Sequence, residues 1–195
     1  MFYYIADTHF GHENILKMCS RPYDSITEMN EDFIRRWNAQ VHGDDTIFIV
    51  GDLFYRFHEP EAILQRLKGH KVLIEGNHDR SWLMDIDRPE RYFEQITPYL
   101  EFSDGSNGLI LCHYPLLSYK HARKNYMVHG HIHNDTSSDF WPLLVKRERV
   151  LNAGVDVNGY TPVTLEEMIE NNMQFKAAHP GTVEQMLSKH ISHHT

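Results

Sequence analysis

Five short apolar runs in this chain each break abruptly into aspartate, asparagine or histidine, and this repeated break constrains the fold more than any other feature. The breaks are Asp7-Thr8-His9, Gly51-Asp52, Gly76-Asn77-His78-Asp79, His113 and Gly130-His131-Ile132-His133. A short apolar run bounded by polar residues is typical of a strand buried in a sheet. A single break is typical of a strand end with a capping residue, whereas five together indicate strands whose ends share one polar edge.

Segments with helical periodicity lie between these runs in the N-terminal half of the chain. Residues 25–41 carry apolar side chains at steps of three and four, which predicts an amphipathic helix between strands at residues 2–6 and 46–50. A shorter helix at residues 61–67, preceded by a proline, leads to a strand at residues 71–74. This strand–helix–strand order predicts an α/β fold, in which ligands gather beyond the carboxyl ends of the strands.

The C-terminal half predicts further strands and one closing helix. The strands are expected at residues 108–112, 126–128 and 149–157. The helix is expected at residues 164–175, because Thr164 and Glu167 have the spacing of a capping box. We therefore predict one domain over residues 1–175. The polar, histidine-rich tail at residues 176–195 is expected to be a mobile end rather than a metal site.

Composition excludes several classes of protein. The chain has 27 acidic and 19 basic residues and a net charge of −8, which argues against binding nucleic acid or an anionic membrane through bulk charge. The sequence contains no apolar run of the roughly 18 residues that a membrane span needs, and its first residues do not resemble a secretory signal. Only two cysteines occur, in no paired spacing, so we expect a cytoplasmic protein.

The polar breaks together supply the donors of a metal site. They contain three aspartates, one asparagine and five histidines, whose oxygen and nitrogen atoms suit Mn, Fe, Zn and related divalent ions. That number exceeds what one tetrahedral zinc requires, and a dinuclear site with a bridging carboxylate uses them all. Gly51, Gly76 and Gly130 precede donors, where the backbone must turn or leave room. If His131 and His133 lie in an extended segment, their side chains point the same way and can serve two metals.

The order DTH, GD, GNHD, H and GHIH resembles the five signature blocks of the calcineurin-like metallophosphoesterases. The blocks extend from Asp7 to His133. The longer segments DTHFGHENI, RPY and LNAGVDVNGY are similar to a subfamily of small, stand-alone bacterial and phage phosphoesterases. The resemblance implies a four-layer α/β/β/α sandwich of two mixed sheets, with a dinuclear metal site at the strand ends.

The resemblance also implies a role for each residue of the blocks. One metal would be held by Asp7, His9 and His133, and the other by Asn77, His113 and His131, with Asp52 as the bridge. The nucleophile would be a hydroxide that bridges two divalent ions. His78 would protonate the leaving group, and Asp79 would orient the His78 ring. Manganese is the first expectation, with Fe, Zn, Ni and Mg as alternatives.

Residues outside the blocks are weaker candidates for substrate contacts. They are Arg80, His12 and Asn14, and Tyr55 and Arg56 also follow a block closely. We expect His42, His58 and His70 to be surface histidines, and the tryptophans to belong to the core.

The function expected from the sequence is metal-dependent hydrolysis of a small phosphate ester, with a diester favoured over a monoester. The small chain leaves little room for a cap domain that would select a large substrate. Two alternatives stay open. One is a metal-dependent nuclease, for which nucleic acid would be a substrate only, and the other is a non-catalytic interaction scaffold on the same fold. The sequence does not determine the oligomeric state or the physiological substrate.

Overall fold

Eight strands, six α-helices and one 3₁₀ helix lie within residues 1–181, the part of the chain that this computed structural model describes. The strands are β1 (Phe2–Ile5), β2 (Thr46–Ile49), β3 (His70–Ile74), β4 (Gln95–Thr97), β5 (Leu100–Asp104), β6 (Asn107–Leu111), β7 (Tyr126–His129) and β8 (Val150–Asn152). The α-helices are α1 (Ile15–Met18), α2 (Ile26–Gln40), α3 (Pro60–Leu64), α4 (Asp79–Leu83), α5 (Trp141–Leu144) and α6 (Leu165–Ala178). A 3₁₀ helix covers Pro89–Arg91.

The strands form two four-stranded sheets. The first has the order β1-β2-β3-β4, and its three pairs are parallel. The second has the order β5-β6-β7-β8, with an antiparallel β5-β6 pair and parallel pairs after it. The α/β fold with two sheets is confirmed, although only the second sheet is mixed. In the first sheet Ile5 lies opposite Ile49, so β1 and β2 end at the same level.

Alternating side chains of each strand enter different cores. Ile47 and Ile49 of β2 pack with Phe33 and Trp37 of α2, on the outer face of the first sheet. Phe48, between them, points into the core shared by the two sheets. This alternation follows from the two-residue period of a strand and explains why β2 is apolar throughout.

The second sheet is covered by helices on its outer face. Ile110 and Met127 of β6 and β7 pack against Trp141 and Leu144 of α5. The three apolar clusters therefore separate four layers, in the order helix, sheet, sheet, helix. Trp37, Trp82 and Trp141 are all buried, as predicted. Within residues 1–181, no helix is both long and apolar enough to cross a membrane.

Helix ends follow the signals in the sequence. The Ser25 side chain accepts from the backbone N–H of Glu28 at the start of α2. The capping box of Thr164 and Glu167 forms as predicted. Helix α6 continues to Ala178, however, so residues 176–178 of the predicted tail are helical. His179 of the predicted tail follows the helix, whereas His190, His193 and His194 lie in residues 182–195, outside the described residues.

The strand predicted at residues 149–157 is wrong beyond Asn152. The chain turns there, because Asn158 and Tyr160 donate backbone N–H groups to Gly154 and Val155 in local bonds. The Asn158 side chain also donates to the carbonyl oxygens of Asn152 and Gly154. Local side-chain bonds of this kind compete with a sheet ladder. The turn places Asp156 beside the polar edge of the sheets.

Candidate metal centre

The metal ligands predicted from the sequence meet at the carboxyl ends of strands from both sheets. Each follows a strand that the structure defines, and the strands concerned are β1, β2, β3, β6 and β7. The residues brought together are Asp7, His9, Asp52, Asn77, His113, His131 and His133. Parallel neighbours end on the same side of a sheet, which is why positions far apart in the sequence converge.

The first ligand group consists of Asp7, His9 and His133. Their donor atoms all lie within 4.8 Å of one another, and the rings of His9 and His133 stack at 4.9 Å. Both ring nitrogens of His9 are buried without a hydrogen-bond partner among the described residues. Burial, together with the neighbouring His133, lowers the pKa of His9 to about 2. The ring is therefore neutral near neutral pH, as a metal ligand must be.

The second ligand group consists of Asn77, His113 and His131. The Oδ1 atom of Asn77 lies 3.1 Å from Nε2 of His113 and 2.9 Å from Nδ1 of His131. Nδ1 of His113 donates to the carbonyl oxygen of Val50 at 2.9 Å. That bond fixes the ring and leaves Nε2 facing the group.

Asp52 lies between the two ligand groups. Its Oδ2 atom is 3.6 Å from Nε2 of His9 and 3.4 Å from Nε2 of His113. Burial favours the neutral acid, but hydrogen bonding and charge at His113, together with the backbone N–H of His78, lower the pKa of Asp52 to about 2. The carboxylate is therefore an anion within reach of both groups.

The backbone at this edge adopts a rare conformation. The φ angle is positive at Asp7 (56°), His9 (50°), Asp52 (55°), His131 (74°) and His133 (49°). Left-handed conformations are uncommon for residues other than glycine and persist only where the surrounding structure holds them. Their concentration at the candidate ligands shows that the fold pre-organises this edge.

The segment that carries His131 and His133 differs from the prediction. Strand β7 ends at His129, and the two histidines follow it in a turn rather than in an extended segment. The backbone N–H of His131 donates to both carboxylate oxygens of Asp7, at 3.1 and 3.0 Å, which holds the turn. The two rings still reach different ligand groups, but through this turn rather than through strand alternation.

Glycines give the ligands room, as the sequence indicates. A Cβ atom at Gly76 would lie 2.3 Å from Oδ1 of Asp52, and one at Gly51 would lie 2.2 Å from Nδ1 of His113. Neither position can carry a side chain without displacing a ligand.

The donor set fits divalent cations. Carboxylate, amide and imidazole donors suit such ions, and the unpartnered nitrogens of His9 would otherwise be costly to bury. The first ligand group, the second ligand group and Asp52 would hold them.

His78 lies at the open side of the centre. Its backbone N–H donates to Oδ1 of Asp52 at 2.9 Å, and its ring Nε2 is 3.9 Å from Oδ2 of Asp52. The side chain is 37% exposed, so the ring faces the solvent from which a substrate would enter.

Asp79 does not contact the ring that it was predicted to orient. Oδ1 accepts from the backbone N–H of Leu53 and the indole of Trp82, each at 2.9 Å. Oδ2 accepts from the backbone N–H groups of Asp52 and Gly76, each at 2.8 Å. Along residues 1–181, no hydrogen bond joins Asp79 to the His78 imidazole. The carboxylate is fully buried and ties together the loops after β2 and β3.

Comparisons with known proteins identify the family of this chain. The model of the family described as calcineurin-like phosphoesterase matches residues 1–194. The chain belongs to this family. It is 32% identical over 173 residues to the uncharacterised protein MJ1445 of Methanocaldococcus jannaschii, which covers 86% of this chain and 89% of that protein. It is 23% identical over 189 residues to the gene 66 protein of Mycobacterium phage L5, across 80% of this chain and 87% of the phage protein.

A solved structure shows the same fold. The protein AQ665 of Aquifex aeolicus, whose function is unknown, superimposes with a TM-score of 0.68 at 24% identity, covering 87% of this chain and 98% of that one. As a calcineurin-like phosphoesterase, the chain has the general activity of its family, metal-dependent hydrolysis of phosphate esters.

The residues predicted to contact the substrate of this phosphoesterase differ in their distance from the metal centre. His12 stacks on Tyr55 at 3.8 Å, and its ring lies 5.4 Å from that of His9. Tyr55 in turn meets the His78 ring at 4.8 Å, and the guanidinium of Arg56 lies over Tyr55. Burial and the nearby His78 lower the pKa of His12 to about 4. His12 and Tyr55 therefore border the centre.

Asn14 and Arg80 are both exposed, and the part of the chain that the structure describes shows no side-chain hydrogen bond for either. Their roles in substrate binding stay predictions. His42, His58 and His70 are on the surface, as predicted.

The sequence analysis assigned no chemical role to Asp156, whose Oδ2 lies 3.2 Å from Nδ1 of His133. Asp156 stands between two valines in a segment predicted to be a strand, so no local signal marks it. The only available signal was the similarity of the RPY and LNAGVDVNGY segments to the subfamily.

Proposed function

We propose that this chain is a dinuclear phosphoesterase with a preference for phosphodiesters. The first ligand group would hold one divalent ion and the second ligand group the other, with Asp52 shared between them. The observation that carries the proposal is the position of Asp52 Oδ2, between Nε2 of His9 and Nε2 of His113. One carboxylate oxygen in that place suits a bridge between two ions.

The choice of metal follows from the donor set. Manganese is the first candidate, because the groups combine carboxylate and amide oxygens with imidazole nitrogens. Fe, Zn, Ni and Mg accept subsets of the same donors and stay alternatives. Two divalent ions, when bound, activate water as the nucleophile and neutralise charge on the phosphoryl oxygens.

The chain itself supplies the proton for the leaving group. The His78 ring faces solvent, and its Nε2 lies 3.9 Å from Oδ2 of Asp52. We assign Nε2 the transfer of a proton to the leaving oxygen as the bond between phosphorus and that oxygen breaks. His78 is suited to this step because imidazole is the side chain that most often serves as a general acid.

The preference for a diester follows from the charge of the substrate and the positive side chains near the centre. A diester carries one negative charge less than a fully ionised monoester and needs fewer cations around it. The arginine nearest the first ligand group, Arg21, is already paired with Asp156. The exposed Arg56 and Arg80 follow ligand positions but touch no ligand among the described residues.

Purified protein loaded with Mn²⁺ would test the proposal on bis(p-nitrophenyl) phosphate, p-nitrophenyl phosphate and cyclic nucleotides. We expect faster turnover of the diester than of the monoester. Asp52→Asn should abolish turnover. Asp32→Asn is the matched control, because it removes the same charge from a residue that pairs with Arg36 on α2. Faster turnover of the monoester would contradict the diester preference.

The same experiment separates the alternatives. A nuclease would degrade single-stranded or duplex DNA or RNA more efficiently than the small esters, and the net charge of −8 speaks against this. A non-catalytic scaffold would turn over none of the substrates. We place the activity in the cytoplasm as part of this proposal, because Cys19 and Cys112 are both free thiols.

A further inference from the structure

Arg21 and Asp156 form a buried, bidentate ion pair between residues 135 positions apart. Nε of Arg21 donates to Oδ1 of Asp156 at 2.8 Å, and Nη2 donates to Oδ2 at 2.9 Å. Both side chains have an exposed fraction of 0%. The pair is therefore a guanidinium and a carboxylate enclosed by protein.

A buried ion pair gives little net stability, because desolvation offsets the attraction between the charges. Its other contacts therefore matter for what it does. Nη2 of Arg21 also donates to the carbonyl oxygen of Asp7 at 2.7 Å, and Nη1 donates to that of Thr8 at 2.8 Å. Oδ2 of Asp156 accepts from Nδ1 of His133 at 3.2 Å. The pair thus contacts two of the three residues of the first ligand group.

A cation at Asp156 itself is excluded by the same contacts. Cys19, His133 and Asp156 have donor atoms within 4.8 Å of one another, a spacing that could hold a metal. Both oxygens of Asp156 already accept from Arg21, however, and a cation there would have to sit beside the guanidinium. The charge of Asp156 is neutralised, so it acts on His133 rather than as a ligand.

We propose that Arg21 and Asp156 are positioning residues for the cation of the first ligand group, an inference that rests on the proposed dinuclear centre. Asp156 accepts a hydrogen bond from Nδ1–H of His133 and thereby leaves Nε2 as the ligand atom. Carboxylates commonly orient metal-bound histidines in this way. Arg21 holds the Asp7-Thr8 backbone through its carbonyl oxygens. Asp7 and His133 both have positive φ angles, 56° and 49°, and need such external support.

Among the described residues, neither Arg21 nor Asp156 makes a hydrogen bond to a residue of the second ligand group. His113 is oriented by the carbonyl oxygen of Val50, and His131 and Asn77 bond to each other. Loss of the pair should therefore weaken the binding of one cation and leave the binding of the other unchanged. A general loss of folding would weaken the binding of both.

The test is the Mn²⁺ affinity of the whole chain, measured by equilibrium dialysis and elemental analysis. Wild type should bind two Mn²⁺ per chain. Asp156→Asn should weaken one of the two sites by roughly 10–100-fold, as loss of a residue behind a metal ligand typically does, and leave the other unchanged. Asp32→Asn is the control, since it breaks an ion pair with Arg36 that touches no ligand, and both of its affinities should match wild type.

A second variant covers the case in which Asp156→Asn does not fold. Arg21→Lys keeps a positive charge opposite Asp156, but one ammonium cannot reach the carboxylate and two carbonyl oxygens with the geometry of a guanidinium. Thermal unfolding of the metal-free proteins shows which variants are folded. A folded Arg21→Lys variant should show the same selective weakening.

The outcomes separate this inference from the proposal on which it rests. Wild type that binds fewer than two Mn²⁺ would overturn the dinuclear centre itself. Wild type with two ions, and folded variants with unchanged or equally weakened sites, would overturn the positioning role alone. Unfolding of both variants would also overturn it, because the pair would then support the whole fold rather than one cation.

Discussion

The backbone N–H of Asp52 donates to the buried carboxylate of Asp79 at 2.8 Å. The residue proposed to bridge two cations is therefore held through its backbone by an acid at the start of α4. Three further donors meet the same carboxylate, from Gly76, Leu53 and Trp82. Asp79 thus fixes the loop after β2 against the loop after β3.

Asp79→Asn should lower both stability and metal binding. An amide offers one acceptor oxygen where the carboxylate offers two, so donors are left unsatisfied, each at about 1–3 kcal/mol. We expect lower thermal stability and fewer than two Mn²⁺ per chain. Unchanged stability and metal content with slower turnover would instead support the orienting role predicted from the sequence.

Asp52→Asn should lose at least one cation and nearly all activity. The substitution removes a negative charge that lies between the two ligand groups. Elemental analysis after dialysis against Mn²⁺ measures the loss, with Asp32→Asn as the control. Two ions retained by the variant would show that Asp52 is not the bridge.

His78→Ala should slow esters according to the basicity of the leaving group. An alkoxide leaves poorly without a proton, so turnover of an alkyl or nucleoside ester should fall by roughly 10²–10⁴-fold. A nitrophenyl ester, whose leaving anion is stable, should lose much less. Metal content should stay unchanged, and His70→Ala, at an exposed histidine, should behave as wild type. An equal loss on both esters would assign His78 to phosphate binding.

Metal uptake near neutral pH should release protons. Burial opposes a positive charge on the rings of His113 and His133. Hydrogen bonding to Asp52 nevertheless raises the pKa of His113 to about 9, and hydrogen bonding to Asp156 raises the pKa of His133 to about 10. Both rings are therefore protonated before the metal binds, and cations must displace about two protons. Metal affinity should rise with pH until the pH exceeds the pKa values of both histidines. Calorimetry in buffers of different ionisation enthalpy measures the release, and a value near zero would contradict the prediction.

Gly76→Ala should disrupt the metal centre through steric overlap alone. A Cβ atom there would lie 2.3 Å from Oδ1 of Asp52, and the φ angle of Gly76 is not positive. We expect loss of bound Mn²⁺ in a folded protein. Gly43→Ala is the control, because its Cβ would meet nothing within 4 Å. Full metal content in Gly76→Ala would show that the loop adapts.

The candidate ligands could be located from the sequence because they follow the ends of apolar runs. A buried strand needs a continuous apolar sequence, and its end marks the edge of the sheet, so Asp7, Asp52 and His113 could be placed from the sequence. The helix α2 and the cap of α6 were equally readable from periodicity and from Thr164. Strands β4 and β5 were not, since their side chains are half exposed and their sequences are largely polar.

The sequence by itself determined which chemistry can occur, because it supplies oxygen and imidazole donors at successive strand ends. Tertiary structure alone decided how those donors are held. The left-handed turn at His131 and the ion pair of Arg21 with Asp156 depend on contacts between residues far apart in the chain. Asp79 likewise bonds to the loop after β2 rather than to the adjacent histidine. Local patterns report burial and periodicity, whereas the partner of a buried charge is fixed only when the sheets pack.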